Sequence, residues 1–463
     1  MTTTVQPVNF YKPIWRAYNQ EAKDWVQTIL NDIGFDKASK PQCDAMASFL
    51  HTARWCLLSG RPLACPRDNG YWTRYPLVGA PTISALTDKM QGKYLQKIDG
   101  SGRWVIEEDE HGKKTSVTIT TLHKVDPVLT QSPYFDTSEF IDVGRPQVLV
   151  GEKETRGQKE ARKLSGSPSP KFGLRAAERE FKKPYHQAKD QVNELNKFYQ
   201  LHPLRLPAIG ITGALCGSVG RIFHHGRLDA GGRFYGGYTG LKGAPRLKST
   251  IDGEPIVQID LNAAQPILFS SLMGYKIKDT GRENGIWYDL YGEMAQELVR
   301  GNYEKLDEER AKLKAVGVEL IGYGDPRKRR PSAELKSKHG ISGRWEFEIY
   351  RDKILEWVPA LRHLDRDYLN GAGFLTFHES EIVLRTIQEL HALEVPAYPM
   401  HDCLIVKKSD QDLALRIFRE VANIYIQHHC RANNRSEVIN VMVGCSLEAY
   451  DQRKKRIKGY YLD

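Results

Sequence analysis

Four short stretches in the second half of the chain carry residue types that could do chemistry together. The run Ile256-Val-Gln-Ile-Asp260 leads through Asn262 and Gln265 into an apolar stretch that closes at Leu272-Met-Gly274. Val257 and Ile259 alternate as in a strand, so Asp260 stands where a buried strand gives way to a helix. A carboxylate there must be solvated, paired or bound to a metal, because an isolated charge is expensive to bury; capping the next helix is the commoner use of such a residue. His401-Asp402 lies between Ala397-Tyr-Pro-Met and Cys403-Leu-Ile-Val406. That is the pattern of a hairpin lifting one carboxylate to a sheet edge, or of an ordinary turn. Arg310 and Lys314 are four apart and share one face of a helix. Two fixed cations beside a metal suit a triphosphate, although Asp307 and Glu308 are equally well placed to pair with them on a plain surface helix. Asp229-Ala-Gly-Gly232-Arg233 offers a backbone able to approach a ligand and a guanidinium able to fork onto phosphate or carboxylate.

The elements that position these residues belong to a chain of 463 residues, 40% hydrophobic and 27% charged. This is a globular composition, at roughly 150 residues per domain enough for about three domains. No stretch approaches the roughly 20 apolar residues of a membrane span, and the N-terminus lacks the basic-then-apolar pattern of a secretory signal. No membrane partner is expected. The net charge of +10 suits a polyanionic partner, nucleic acid first. Seven scattered cysteines without a CxxC pair point to a reducing, cytoplasmic setting, and His428-His429-Cys430 reads as a solvated helix end. Residues 10–60 carry helical spacing, Thr82–Leu95 reads as a further helix, and Trp104–Glu108 with Thr115–Thr120 reads as a hairpin. That order fits a winged helix-turn-helix whose second helix is made basic by Lys89, Lys93 and Lys97, or a small packing module of the same shape. Residues 144–172 read as a linker, about 175–200 as a charged helix, and Asp325–Pro331 with Lys336 and Lys338 as a basic loop, solvated or in contact with phosphates.

Taken in chain order over roughly 205–450, the motifs resemble those of the single-subunit, family A-like nucleic-acid polymerases, which include the family A DNA polymerases and the phage-type RNA polymerases. Asp229-x-x-Gly232-Arg233 resembles the T/DxxGR motif that contacts primer and template. Asp260 to Gly274 resembles motif A, with Asp260 as the metal-binding aspartate and Gln265 at the position that screens the sugar. Asp289-Leu-Tyr291 resembles the segment that follows it. Arg310-x-x-x-Lys314 resembles the start of motif B, whose cations hold the triphosphate, Lys314 being the implied proton donor to pyrophosphate. His401-Asp402 resembles motif C. The resemblance implies two Mg²⁺ ions, with Mn²⁺ as the alternative, on Asp260 and Asp402. It also implies polar residues near the primer terminus, for which the run His378-Glu379-Ser-Glu381 offers His378 and Glu381, a helix cap fitting the run equally well. No exonuclease-like set of spaced carboxylates precedes the core, so no proofreading exonuclease is expected.

The fold implied is α+β: a right-hand core of antiparallel palm sheet, helical fingers and reduced thumb, with an N-terminal winged-helix-like module. The expected segments are 1–143, the 144–172 linker, thumb-like helices at 173–255, and palm and fingers at 256–463, with fingers about 275–345. The expected partners are a DNA template with primer or nascent strand, nucleoside triphosphates and an accessory replication protein, in a phage or plasmid setting. Three positions depart from the family pattern. Gln265 stands where DNA polymerases usually carry Glu. Val318 replaces an aromatic, and Tyr323, the candidate for stacking on the nascent base pair, arrives one residue late. Pro399 sits in a motif C strand, where an edge position would permit it. DNA synthesis is the favoured reading; RNA or primase-like synthesis, and a DNA-binding replication initiator without polymerase activity, are the alternatives.

Overall fold

The computed structural model describes residues 8–66, 72, 79–98, 104–108, 114–152, 172–207, 214–278, 286–287, 289–364, 371–432, 442–443, 445–449 and 457–461. It is a mixed α and β structure in two compact units, residues 1–227 with 235–255, and residues 228–234 with 256–463.

The first unit is built around the helices Gln20–Asp32 and Lys40–Ser59. Asn19 caps the first, accepting from the Ala22 amide at 3.0 Å, and Gly60 ends the second in the left-handed conformation. Their apolar faces bury Trp25, Ile29, Leu30, Met46, Phe49, Leu50 and Ala53 in one core with Phe135 and Phe140. The 10–60 spacing thus marks the face that packs. The expected hairpin pairs Trp104–Glu108 with Lys114–Ile119. Its second strand continues to Val125 and also pairs with Leu63–Pro66 and Leu95–Lys97, so it is an interior strand of a five-stranded sheet. The basic second helix does not form as expected. The helix is Ala80–Met90; Lys93 lies beyond it and pairs with Asp32, and Lys97 is on a strand. Gln91-Gly92 supplies the break, with Gly92 at φ +78°.

Within the stretch read as a linker, Val148–Val150 pairs in parallel with Gly220–Phe223, while residues 153–171 lie outside the described set. The charged helix runs Leu174–Leu201 and is kinked at Lys182, two residues before Pro184. The proline ring has no amide hydrogen and crowds the preceding turn. No helix among the described residues is long and apolar enough to cross a membrane.

The second unit holds an antiparallel sheet in the order Ala397–Met400, Cys403–Lys407, Glu254–Leu261, Cys445–Ala449, Ile457–Tyr461. Pro399 falls on its outermost strand, where a missing amide hydrogen is tolerated. The helix Ala264–Met273 follows the middle strand and is almost wholly buried. It packs against the helices Ala372–Ala392 and Gln411–Ala432, and Gly274 at φ +70° ends it. The helix Leu306–Tyr323 packs on Leu290–Val299 and Arg344–Trp357. Gly317 makes the first of these contacts: a Cβ there would stand 2.6 Å from the Tyr291 hydroxyl.

Candidate active site

Sheet register brings the two sequence-distant aspartates together. Asp260 is the penultimate residue of the middle strand and is paired with Cys403 on one side and Ser446 on the other. Asp402 occupies the two-residue turn between Met400 and Cys403, one residue from that pairing. His401, the other turn residue, has φ +62°, and Ala263, at the start of the following helix, has φ +47°. Side chains seldom adopt such values, and here they let both chain segments reverse sharply beside the aspartates. A carboxylate oxygen of each of Asp260 and Asp402 and the Cys403 sulfur lie within 4.8 Å of one another. The thiol donates to Asp260 Oδ1 at 3.2 Å and accepts from the Gln258 amide at 3.4 Å.

Both aspartates open onto a cavity of about 240 Å³ whose walls include Arg233, Gln265, Asp289, Tyr291, Arg310, Lys314, Val318, Ile321 and Glu379. Arg310, Lys314, Val318 and Ile321 recur at helical spacing and form one stripe of Leu306–Tyr323. Arg310 is anchored by Asp289, whose other oxygen accepts from the Gly292 amide at 3.1 Å and caps the next helix. Lys314 is exposed and makes no ion pair among the described residues.

Tyr323 is not brought to the cavity. Nine residues after Lys314 on a regular helix place it about 180° round the axis. It is 46% exposed, with the Lys328 ammonium 3.4 Å from its ring centroid. No bulge corrects the late spacing. His378 also points elsewhere: its Nδ1 shares a 2.7 Å hydrogen bond with the Tyr425 hydroxyl, and burial pushes its pKa down to about 4. Glu381 is half-buried on the same helix and does not line the cavity. His429 stacks on Tyr425, so the histidine pair at this helix end is packed on one side rather than wholly solvated.

Of the run His378-Glu379-Ser-Glu381, the residue that reaches the cavity is Glu379, which the sequence did not single out. It is 1% exposed and accepts from Arg233 Nη2 at 2.8 Å and from Gln265 Nε2 at 3.1 Å. Gly231 and Gly232, at φ +81° and +76°, turn the chain immediately before Arg233. Burial first, and the charge of Asp402 second, push the Glu379 carboxyl up to about 7 against the lowering pull of Arg233 and Gln265. A signal was present in the sequence. Leu375, Glu379, Ile382, Val383, Ile387 and Leu390 form the buried stripe of one helix, and a carboxylate in such a stripe needs a partner.

The donor set fits hard divalent cations. Two carboxylates with converging oxygens match the preference of Mg²⁺ and Mn²⁺ for oxygen ligands, and the adjacent thiol is already engaged by Asp260 and Gln258. Among known proteins, no family model and no curated sequence matches this chain. Among solved structures, the POL domain of Pol1 from M. smegmatis in complex with DNA primer-template and dNTP is similar at 11% identity and a TM-score of 0.32. That match covers 89% of this chain and 64% of the other, so this chain spans less than two thirds of its length. A likeness of this size is too slight to carry a functional argument.

Proposed function

We propose that this chain catalyses template-directed nucleotidyl transfer to a 3′-hydroxyl, with DNA as the favoured product and Asp260 and Asp402 as ligands for two Mg²⁺ ions. The observation that carries the reading is the convergence of two acidic residues and two cations, from three separate segments, on one cavity. A protein that only binds polyanions gains nothing from paired carboxylates facing its ligand. That disfavours a replication initiator without catalysis.

The chemistry such ions supply when bound is activation of the attacking hydroxyl and stabilisation of charge on the leaving group. In this proposal Asp260 and Asp402 would hold the ions beside the reacting end of the nucleotide. Arg310, kept in place by Asp289, and Lys314, free to move, offset charge on the triphosphate. The 3′-hydroxyl gives its proton to solvent water, its oxygen forms a bond to the α-phosphorus as the bond to pyrophosphate breaks, and Lys314 donates a proton to the departing pyrophosphate. Gln265 faces the sugar, and Arg233, together with His401 of the turn, contacts the primer–template end. The antiparallel sheet acts as palm and residues 275–345 as fingers; among the described residues of the 173–255 stretch expected as thumb-like helices, only Leu174–Leu201 is a long helix, the other elements there being mostly short strands. Tyr323, His378 and Glu381 have no role in this scheme.

Extension of a labelled primer on a template with Mg²⁺, with dNTPs and NTPs in parallel, tests the proposal. Addition that depends on template and metal and prefers dNTPs supports it. Preference for NTPs transfers the product to RNA, and absence of addition from either pool while DNA remains bound removes the assignment.

A further inference from the structure

The basic loop noted in the sequence lies outside the residues that line the cavity. Between 325 and 344 the chain carries seven Lys and Arg against two carboxylates. The loop is fixed rather than loose. The Lys328 ammonium lies over Tyr323, and Lys328 also bonds Glu319 at 2.7 Å. Its carbonyl accepts from Arg351 at 2.9 Å. Glu348 Oε1 is approached by Arg344 at 3.0 Å, Arg351 at 3.7 Å and Arg329 at 4.0 Å, so one carboxylate serves three guanidinium groups. Arg327 and Arg330 are exposed and make no ion pair among the described residues.

Beside this charge stands Trp345, 77% exposed, with no ring contact or hydrogen bond to another described residue. It sits in the first turn of Arg344–Trp357, one turn from Glu348 and from Ile349, which is itself exposed. A tryptophan carries more apolar surface than any other side chain, and leaving it in water contributes nothing to folding. Excess cations around an outward-facing indole match the requirements of an unpaired nucleic-acid strand. The cations meet phosphates, and the ring meets a base face that a duplex keeps stacked inside.

We infer that the face formed by Arg327, Arg329, Arg330, Arg344 and Trp345 is a platform for single-stranded nucleic acid, with Trp345 stacking on one base. This inference goes beyond the catalytic reading and does not depend on it. Binding is therefore measured on the full chain without metal or nucleotide, by fluorescence anisotropy of a labelled oligo(dT) single strand and of a blunt duplex of equal length. Trp345→Ala weakens single-strand binding about tenfold or more with its melting temperature unchanged. Trp345→Phe restores most of the loss, and duplex binding shifts less than twofold. Arg327→Ala with Arg330→Ala lowers the slope of log Kd against log salt by about 1.4, the value for two lost phosphate contacts on a single strand. Wild-type single-strand affinity in Trp345→Ala, or an equal loss on duplex, overturns the inference. The latter assigns the face to duplex, the former to a protein contact or to none. Failure of primer extension alongside a Trp345-dependent single-strand affinity sinks the catalytic reading and leaves this one standing.

Discussion

Each of the two units buries a carboxylate against an arginine, and only one of these carboxylates faces a cavity. In the first unit Asp142 is fully enclosed. It pairs with Arg145, accepts from the Ser218 hydroxyl at 3.1 Å, and sits under Gly237, where a Cβ would meet the Cys216 sulfur at 2.9 Å. Burial raises its pKa, opposed by Arg145. In the second unit Glu379 is as deeply buried and as firmly paired, yet it shares its wall with Asp260, Asp402, Gln265 and Lys314. A buried, perturbed acid is therefore not in itself a mark of chemistry. Asp142 ties the end of the strand Phe140–Asp142 to Arg145 and Ser218, whereas Glu379 lies among groups that converge on open space.

Substitutions at the two carboxylates of the turn and strand give the largest contrast. Asp260→Ala and Asp402→Ala are each expected to slow single-turnover extension about a thousandfold or more, on the scale of losing a principal electrostatic stabiliser. Neither should lower the unfolding midpoint, since both residues are only partly buried. Asp142→Ala should do the reverse. Removing one partner of a buried ion pair costs about 3–5 kcal/mol, read by urea unfolding, while the extension rate per folded molecule is unchanged.

The pH dependence of Glu379 sharpens the comparison. Its pKa is raised to about 7 in the folded protein, against an ordinary value of about 4.3 in the unfolded chain. Between those values the folded state holds a proton that the unfolded state has lost. The stabilisation is thus complete below the unfolded value and is lost as pH rises through about 7. With a chelator present, the unfolding free energy of the wild type should fall from pH 5 to pH 8 relative to that of Glu379→Gln. Equal profiles would place the Glu379 titration elsewhere.

Smaller effects follow at the helix that carries the cations. Gly317→Ala gains about 1 kcal/mol of helix propensity but drives a methyl into the Tyr291 hydroxyl, at an overpacking cost of about 1–3 kcal/mol. A net loss of about 1 kcal/mol is expected, relieved in the double variant with Tyr291→Phe. Tyr323→Ala should leave the nucleotide KM within about twofold, as expected for a surface residue away from the cavity.

Much of the second unit was legible because its signals are local. Alternation around Val257 and Ile259, the apolar run to Gly274 and the hairpin pattern around His401-Asp402 each fix an element, and the antiparallel register then brings Asp260 to Asp402. The four-residue spacing of Arg310 and Lys314 placed both on the face that meets the cavity. The late arrival of Tyr323 is a true departure from the motif, because Leu306–Tyr323 stays a regular helix and turns it half a turn away from Lys314. Glu379 does not stand out from His378 and Glu381 in the sequence because its partners, Arg233 and Gln265, are 146 and 114 residues away along the chain. In the first unit the basic helix was expected from lysines at four-residue steps, but Gly92 breaks that periodicity and Asp32 takes Lys93.

The central claim is that Asp260 and Asp402 together grip divalent cations beside a bound triphosphate. Its most direct test is Mn²⁺ binding counted by electron paramagnetic resonance, with a non-hydrolysable nucleoside triphosphate present, in the wild type and in Asp260→Asn and Asp402→Asn. The account predicts protein-dependent Mn²⁺ sites that weaken at least tenfold in each variant while both remain folded. Identical Mn²⁺ isotherms for all three proteins would contradict it.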